Sequence, residues 1–317
     1  MGLRTALTEM FGIDHPVVLA PMGGVAGGAL AAAVSDGGGL GVIGAGTGDL
    51  QWLARECELA RAATTKAWGI GFLSWAIDSA VVDAAIKQTP AAIMLSFGDP
   101  APFTDAIHAA GIPLIVQVTD VTEARHALEV GADIVVAQGG EAGGHGGGRG
   151  TLPFVPAVVD IAGSVPVLAA GGIADGRGLA AALVLGAAGA VVGTRFEATH
   201  EALISTEAAE AIAAAGAEDT TRGRALDVVR GSQWPARYPA RTLRNKVTDI
   251  WQGREAGMDD ATKAAYRDGV DRGDLDYVPI WAGEAVDLIS GQDSAAALVG
   301  RIARDAEHAI ATAGRAS

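Results

Sequence analysis

His145 is the residue in this sequence whose chemistry stands out first. It lies in the stretch Gln138 to Gly150, QGGEAGGHGGGRG, where a single imidazole is surrounded by glycine. Imidazole titrates near neutrality and suits proton abstraction. Glycine flanks leave room for a ligand beside the backbone. Histidines that only pack a core sit on apolar faces, and this one does not. Glu141, four residues earlier, either orients the imidazole or caps the loop. Two other glycine groups have the character of an anion site. One is Ala169–Ala170–Gly171–Gly172–Ile173 and the other is Val192–Gly193–Thr194–Arg195. Glycine lets backbone N–H groups approach an anion closely, and a helix N-terminus behind them favours negative charge. Thr194 adds a hydroxyl. In Leu19–Ala20–Pro21–Met22–Gly23–Gly24, Met22 suits contact with a flat ring as readily as core packing. Ser74 and Gln117 are polar side chains on apolar runs, able to hydrogen-bond the edge of a heteroaromatic ring.

Other candidate motifs fall away. Gly39–Leu40–Gly41–Val42–Ile43–Gly44 matches GxGxxG, but it lies within an expected strand rather than between strand and helix. Cys57 is the one cysteine and sits mid-helix in WLARECELARA, where it reads as a small buried hydrophobe. His15, His108, His126, His200 and His308 show no metal-ligand spacing, so no metal site is expected. A net charge of −14 argues against a nucleic-acid surface or an anionic membrane patch. Neither a disulfide nor a signal peptide is expected, which fits a cytoplasmic protein. Uncharged runs at 16–35 and 178–194 approach membrane-spanning length. Pro21 and repeated glycines interrupt them, so they read as buried strand and helix pairs.

The elements that must position these residues repeat. Apolar runs at 16–22, 39–46, 67–74, 91–98, 113–119, 133–140, 166–172 and 190–196 each precede a helical stretch. The eighth helix is expected at Glu201 to Ala215. Uniformly apolar strands belong to parallel sheets covered on both faces. Eight such units in roughly 200 residues predict an α/β fold, a closed (β/α)8 TIM barrel. A doubly wound sheet is the alternative. Function then sits at the strand C-termini. Gly171–Gly172 and Gly193–Thr194 end strands seven and eight, the usual phosphate site of this fold. The 45 glycines, roughly double ordinary usage, cluster at these ends and at helix stops. Composition shifts near residue 217, where Arg222, Arg224, Arg230, Arg237, Arg241 and Arg244 gather around Trp234, Tyr238 and Trp251. The expected division is a barrel over 1–217 and a mainly helical appendage over 218–317 near the barrel mouth. Its arginines read as a solvated face with ion pairs.

Taken in order, Ala20–Pro21–Met22 with AAAVSDGGGLG, then GGEAGGH, VLAAGGIADGRG, LGAAGAVVGTRF and the late stretch GDLDYVPIWAGEAVDLI, the sequence resembles the nitronate monooxygenase (2-nitropropane dioxygenase-like) family of FMN-dependent barrels. The resemblance covers most of the chain. It implies a non-covalent FMN with Ala20, Pro21 and Met22 along the isoalloxazine. It places Ser74, Gln117 and Gln138 in contact with the flavin, and Gly143 in the loop beside it. Ala170, Gly171, Gly172, Gly193 and Thr194 would hold the phosphate, and His145 would be the catalytic histidine. Gln117 stands where some relatives carry a lysine, which would alter the charge felt by the flavin.

The expected activity is oxidation of alkyl nitronates or nitroalkanes with O2 to a carbonyl compound and nitrite. GGEAGGH also occurs in flavin-dependent enoyl-acyl carrier protein reductases, and quinone reductases share much of the pattern. An NAD(P)H-dependent flavin reductase is therefore the alternative, and a non-catalytic flavin- or phosphate-binding barrel the second. The expected partners are a small-molecule substrate and O2, with no nucleic acid or membrane; self-association is left open.

Overall fold

The computed structural model describes residues 2–314. The strands are β1 (Val17–Leu19), β2 (Gly41–Gly46), β3 (Trp68–Leu73), β4 (Ala92–Ser96), β5 (Leu114–Val118), β6 (Ile134–Gln138), β7 (Gly144–His145), β8 (Val167–Ala170), β9 (Gly189–Val192), β10 (Thr220–Gly223) and β11 (Ala240–Leu243). Eight of them form one parallel sheet in the order β1-β9-β8-β6-β5-β4-β3-β2. The sheet curls until its edges meet at a parallel bridge between Val18 and Leu40. There Leu40 N–H donates to Val17 O and Leu19 N–H to Leu40 O, each at 2.9 Å. The expected barrel is the observed fold.

Strand parity separates two apolar layers. Val18, Val42, Met94, Ile115, Val136, Leu168 and Val191 point into the barrel and pack together. Their neighbours Leu19, Ile43, Ile70, Phe72, Leu95, Val116 and Val192 point outward into the helix layer. Each strand is buried on both sides, which explains its lack of polar alternation. Helix α1 (Ala6–Phe11) plugs the N-terminal end of the barrel with Leu7 and Phe11.

The helices of the wall are α2 (Gly28–Asp36), α3 (Leu50–Ala63), α4 (Ser79–Ile86), α5 (Ala101–Ala109), α6 (Val121–Glu129), α7 (Thr151–Ala162) and α8 (Gly176–Val184). After β9 come α9 (Thr194–Glu197), α10 (Thr206–Ala214), α11 (Ala225–Val229), α12 (Lys246–Trp251), α13 (Asp260–Asp271) and α14 (Ala295–Ala313). Helix α14 closes the wall between α8 and α2. It buries Leu298, Val299, Ile302 and Ala306 in the shared core. A Cβ at Gly176 would collide with the backbone at Ala306, so glycine there permits the close approach of α8 and α14. Helix α10 forms where the eighth helix was expected, but it packs elsewhere. Its Ala208 and Ile212 join Leu243, Ile280, Ala282 and Val286 in a satellite core.

The segment between α10 and α14 also contains a small antiparallel sheet, β10-β11-β7. It registers Ala240 against His145 and Arg241 against Gly144. The two later strands are four residues each and carry arginines, so no apolar run marks them in the sequence. Among the described residues, no helix is long and apolar enough to cross a membrane.

Candidate active site

A cavity of about 540 Å³ opens at the C-terminal ends of the barrel strands. Its floor follows from where glycine replaces side chains. A Cβ at Gly71 on β3 would collide with the Pro21 ring, so the missing side chain makes room for Pro21 inside the barrel. Gly44 on β2 leaves space for the Met22 backbone in the same way. The GxGxxG match at 39–44 is thus a packing device within and beside β2. Above the floor, inward parity brings Ser96, Gln117 and Gln138 to the cavity from β4, β5 and β6. Ser96 Oγ and Gln138 Oε1 are buried without a hydrogen-bond partner among the described residues. Such atoms carry a desolvation cost that a polar ligand edge would relieve. One end of the cavity is lined by Ala170, Gly171, Gly172, Gly193 and Thr194. Gly171 and Gly172 hold φ of 102° and 70°, a region that favours glycine. Thr194 Oγ1 accepts the Gly283 N–H at 3.0 Å, which leaves its own proton to give to a ligand.

His145 stands in the cavity wall and is 8 % exposed. Its ring stacks on Trp234 with centroids 3.6 Å apart and planes 5° from parallel. Trp281 stands 5.5 Å away at a tilt. Nε2 lies 3.0 Å from both carboxylate oxygens of Asp227. Asp227 in turn accepts from Arg230 at 2.9 Å. Burial lowers the basicity of the imidazole, the Asp227 carboxylate works against that, and Arg230 and Arg222 add to the lowering; the net displacement is downward. Burial works to raise the Asp227 carboxyl, but His145 and Arg230 outweigh it and hold it below its ordinary value. The site therefore favours a neutral imidazole beside a carboxylate.

Glu141 caps α7 rather than touching His145. Its carboxylate accepts the Thr151 N–H at 2.9 Å and the Thr151 hydroxyl at 2.8 Å. The loop that carries His145 is held by a buried arginine. Arg222 on β10 donates to the carbonyls of Ala142 at 2.7 Å, Gly140 at 3.1 Å and Pro239 at 2.6 Å. Burial brings its guanidinium down to about 10. Arg241 donates to Gly140 O at 3.2 Å and pairs with Glu284. Arg237 reaches across to Asp120 and Glu123 of the barrel. Arg222 and Arg241 thus bind elements together from within, while Arg237 and Arg244 are half-exposed and ion-paired, as the expected solvated face with ion pairs has it. Glu197 on α9 also lines the cavity, and burial pushes its carboxyl up to about 8.

Twelve of the thirteen residues singled out from the sequence line this cavity. Ala20, Pro21, Met22, Gln117, Gln138, Gly143, His145, Ala170, Gly171, Gly172, Gly193 and Thr194 come together from six strand ends. Ser74 lies apart from them. It follows Leu73, which points into the cavity, so its parity turns it outward to a groove with Asp78 and Phe103. The inward polar group on the neighbouring strand is Ser96, and counting strand parity would have found it. Asp227, Arg230, Trp234 and Trp281 also belong to the site, from sequence positions 82 or more residues beyond His145. No local spacing ties them to that loop. Among the described residues, no three His, Cys, Asp or Glu side chains are grouped to hold a metal ion.

Comparison with known proteins agrees with this geometry. A family model described as nitronate monooxygenase matches residues 4–80 and 73–305. A nitronate monooxygenase, npaC, of Metarhizium robertsii is 37 % identical over 93 % of this chain and 92 % of its own length. A (3aS,4S,5R,7aS)-5-hydroxy-7a-methyl-1-oxo-octahydro-1H-indene-4-carboxyl-CoA dehydrogenase of Rhodococcus jostii is 38 % identical over 71 % of this chain; the match spans 64 % of that relative. Among solved structures, FabK from Thermotoga maritima superposes with a TM-score of 0.87 at 30 % identity, covering 99 % of both chains. A nitroalkane oxidase from Streptomyces ansochromogenes gives 0.84 at 26 % identity, covering 98 % of this chain and all of that one. A barrel closed in the same way, a histidine set in a glycine loop at its mouth, and a family match along nearly the whole sequence lead to one conclusion: the chain belongs to the nitronate monooxygenase family.

Proposed function

We propose that the protein is an FMN-dependent nitronate monooxygenase that converts alkyl nitronates and O2 to a carbonyl compound and nitrite. The observation that carries this reading is one cavity with three parts. It has an apolar floor at Pro21 and Met22, a glycine-lined end at 170–172 and 193–194, and His145 in its wall. The residues fit the cofactor. Ala20, Pro21 and Met22 would lie along its ring, with Gly143 in the loop beside it. Ser96, Gln117 and Gln138 would meet the polar ring edge, where two buried oxygens lack partners. Ala170, Gly171, Gly172, Gly193 and Thr194 would hold the phosphate, Thr194 giving the hydroxyl proton that its bond from Gly283 leaves available. When bound, FMN supplies the redox centre that exchanges electrons with substrate and O2.

The chain's own contribution is placement and proton handling. His145, neutral at rest, accepts the α-proton of a nitroalkane; the C–H bond breaks and its electron pair moves into the nitro group, giving the nitronate. Trp234 and Trp281 wall the site and exclude water beside that step. The test is O2 uptake and nitrite release by the purified protein with propyl-2-nitronate. Turnover well above that of free FMN supports the assignment, and none overturns it.

A second reading, NAD(P)H-dependent reduction of a quinone or an enoyl thioester, draws support from the likeness to FabK. Anaerobic mixing with NADH or NADPH separates the two. Rapid bleaching of the flavin favours the reductase, and an unchanged spectrum favours the monooxygenase.

A further inference from the structure

We infer that Asp227 is the positioning residue of His145: its carboxylate fixes the ring proton on Nε2 and leaves Nδ1 as the nitrogen that receives a proton from substrate. The geometry allows little else. A carboxylate only accepts, and both of its oxygens lie 3.0 Å from Nε2, so Nε2 carries the hydrogen. Trp234 stacks flat on the imidazole and blocks rotation out of its plane. Asp227 is 2 % exposed, and a buried carboxylate is costly unless it is paired. Its partners are His145 and Arg230, while Arg230 is itself partly exposed and lies 4.9 Å over the Trp281 ring.

Charged and titratable groups face this pair from several elements. Arg230 follows α11, Arg222 comes from β10 and Tyr266 from α13. The hydrogen bond from His145 and the Arg230 guanidinium outweigh burial and keep Asp227 ionised, so it stays an acceptor throughout. In the proton transfer, the substrate C–H proton passes to Nδ1 and the electron pair remains in the nitro group. Nε2–H stays bonded to Asp227, whose charge offsets the imidazolium. Asp227 never takes the proton. The pair is also the means by which the segment beyond the barrel completes the site, since β7 supplies the imidazole and α11 the carboxylate.

The kinetic part of the test rests on the function proposed above; the spectroscopic part does not. Side-chain ¹⁵N NMR of the whole protein, with His145→Asn for assignment, reads the tautomer directly. The wild type should show the Nε2–H form alone, and an Nδ1–H form overturns the inference without any variant. In Asp227→Asn the tautomers should mix, and the titration midpoint of His145 should fall by about one unit. An unchanged tautomer and midpoint overturns it. Asp227→Glu keeps the charge and should restore most of the midpoint. Turnover of neutral nitroalkane by Asp227→Asn should fall about tenfold or more, with preformed nitronate changed less than twofold. Equal loss on both substrates marks a merely structural role and overturns the inference. If the wild type uses neither substrate, the proposed function fails, while the NMR result still decides Asp227.

Discussion

His145 and Glu197 are the two titratable side chains of the cavity whose burial shifts them furthest toward neutrality at ordinary pH. For His145 burial shifts the imidazole downward from 6.5, so in the proposed role it is already neutral and able to accept a proton near neutrality. Turnover of a neutral nitroalkane should therefore lose its acid limb at a pH below about 6.5, and a pH profile of kcat/KM checks the position. Under the proposed function, His145→Asn should still bind FMN yet lose about 100-fold or more of that turnover. Glu197 is displaced the other way, from 4.5 to about 8, by burial alone. The folded state thus keeps the proton while the unfolded chain gives it up. The sign follows: below pH 4.5 both states are protonated, and between 4.5 and 8 the wild type loses stability as pH rises. Each unit is worth about 1.4 kcal/mol, so the loss amounts to several kcal/mol by pH 8. Glu197→Gln should melt above the wild type at pH 8 and lose that advantage toward pH 5, as read by thermal unfolding across pH. The imidazole was legible in the sequence because glycine isolates it. Glu197 was not, because a glutamate three residues after Thr194 looks like any helix surface residue until its burial is known.

At the scale of elements, the glycine loop from Gly139 to Gly150 has few side chains of its own to fix it. Its order comes from Arg222, whose guanidinium gathers the carbonyls of Gly140 and Ala142 on the arm before His145 and that of Pro239. Arg222→Ala leaves those acceptors buried and should cost about 3 kcal/mol or more, measured by urea unfolding. Arg222→Lys should recover only part of this, since an ammonium lacks the planar fork that spans three carbonyls. The strand ends were readable from sequence because glycine marks both the cavity floor and the end lined by 170–172 and 193–194. Ser74 shows the limit of that reading. Its polarity was visible, but only the register of β3 decides that Leu73 faces in and Ser74 out. The sheet β10-β11-β7 was hidden for a different reason. Four-residue strands whose arginines serve as internal donors have no periodicity to detect.

Across the whole molecule, the barrel is sealed by two segments distant in sequence. Strand β1 pairs with β9, and α14 fills the wall between α8 and α2. Arg195, beside β9, pairs with Asp293 just before α14, and Arg301 of that helix binds the same carboxylate. A chain ended at Ser294 should not fold, because it exposes the apolar seam that Leu298, Val299, Ile302 and Ala306 cover. Circular dichroism and soluble yield of that truncation check it. Barrel class was legible from eight repeated units. The identity of the eighth wall helix was not, because α10 and α14 are both amphipathic and only packing space distinguishes them.

The late arrival of α14 also bears on how the chain acquires its shape during synthesis. More than a hundred residues separate β9 from the centre of α14. At ribosomal speeds their emergence takes on the order of 10 s. Throughout that interval all eight strands are available to pair, yet the apolar flanks of α2 and α8 have nothing to pack against. The nascent barrel thus keeps an apolar seam open until α14 is made.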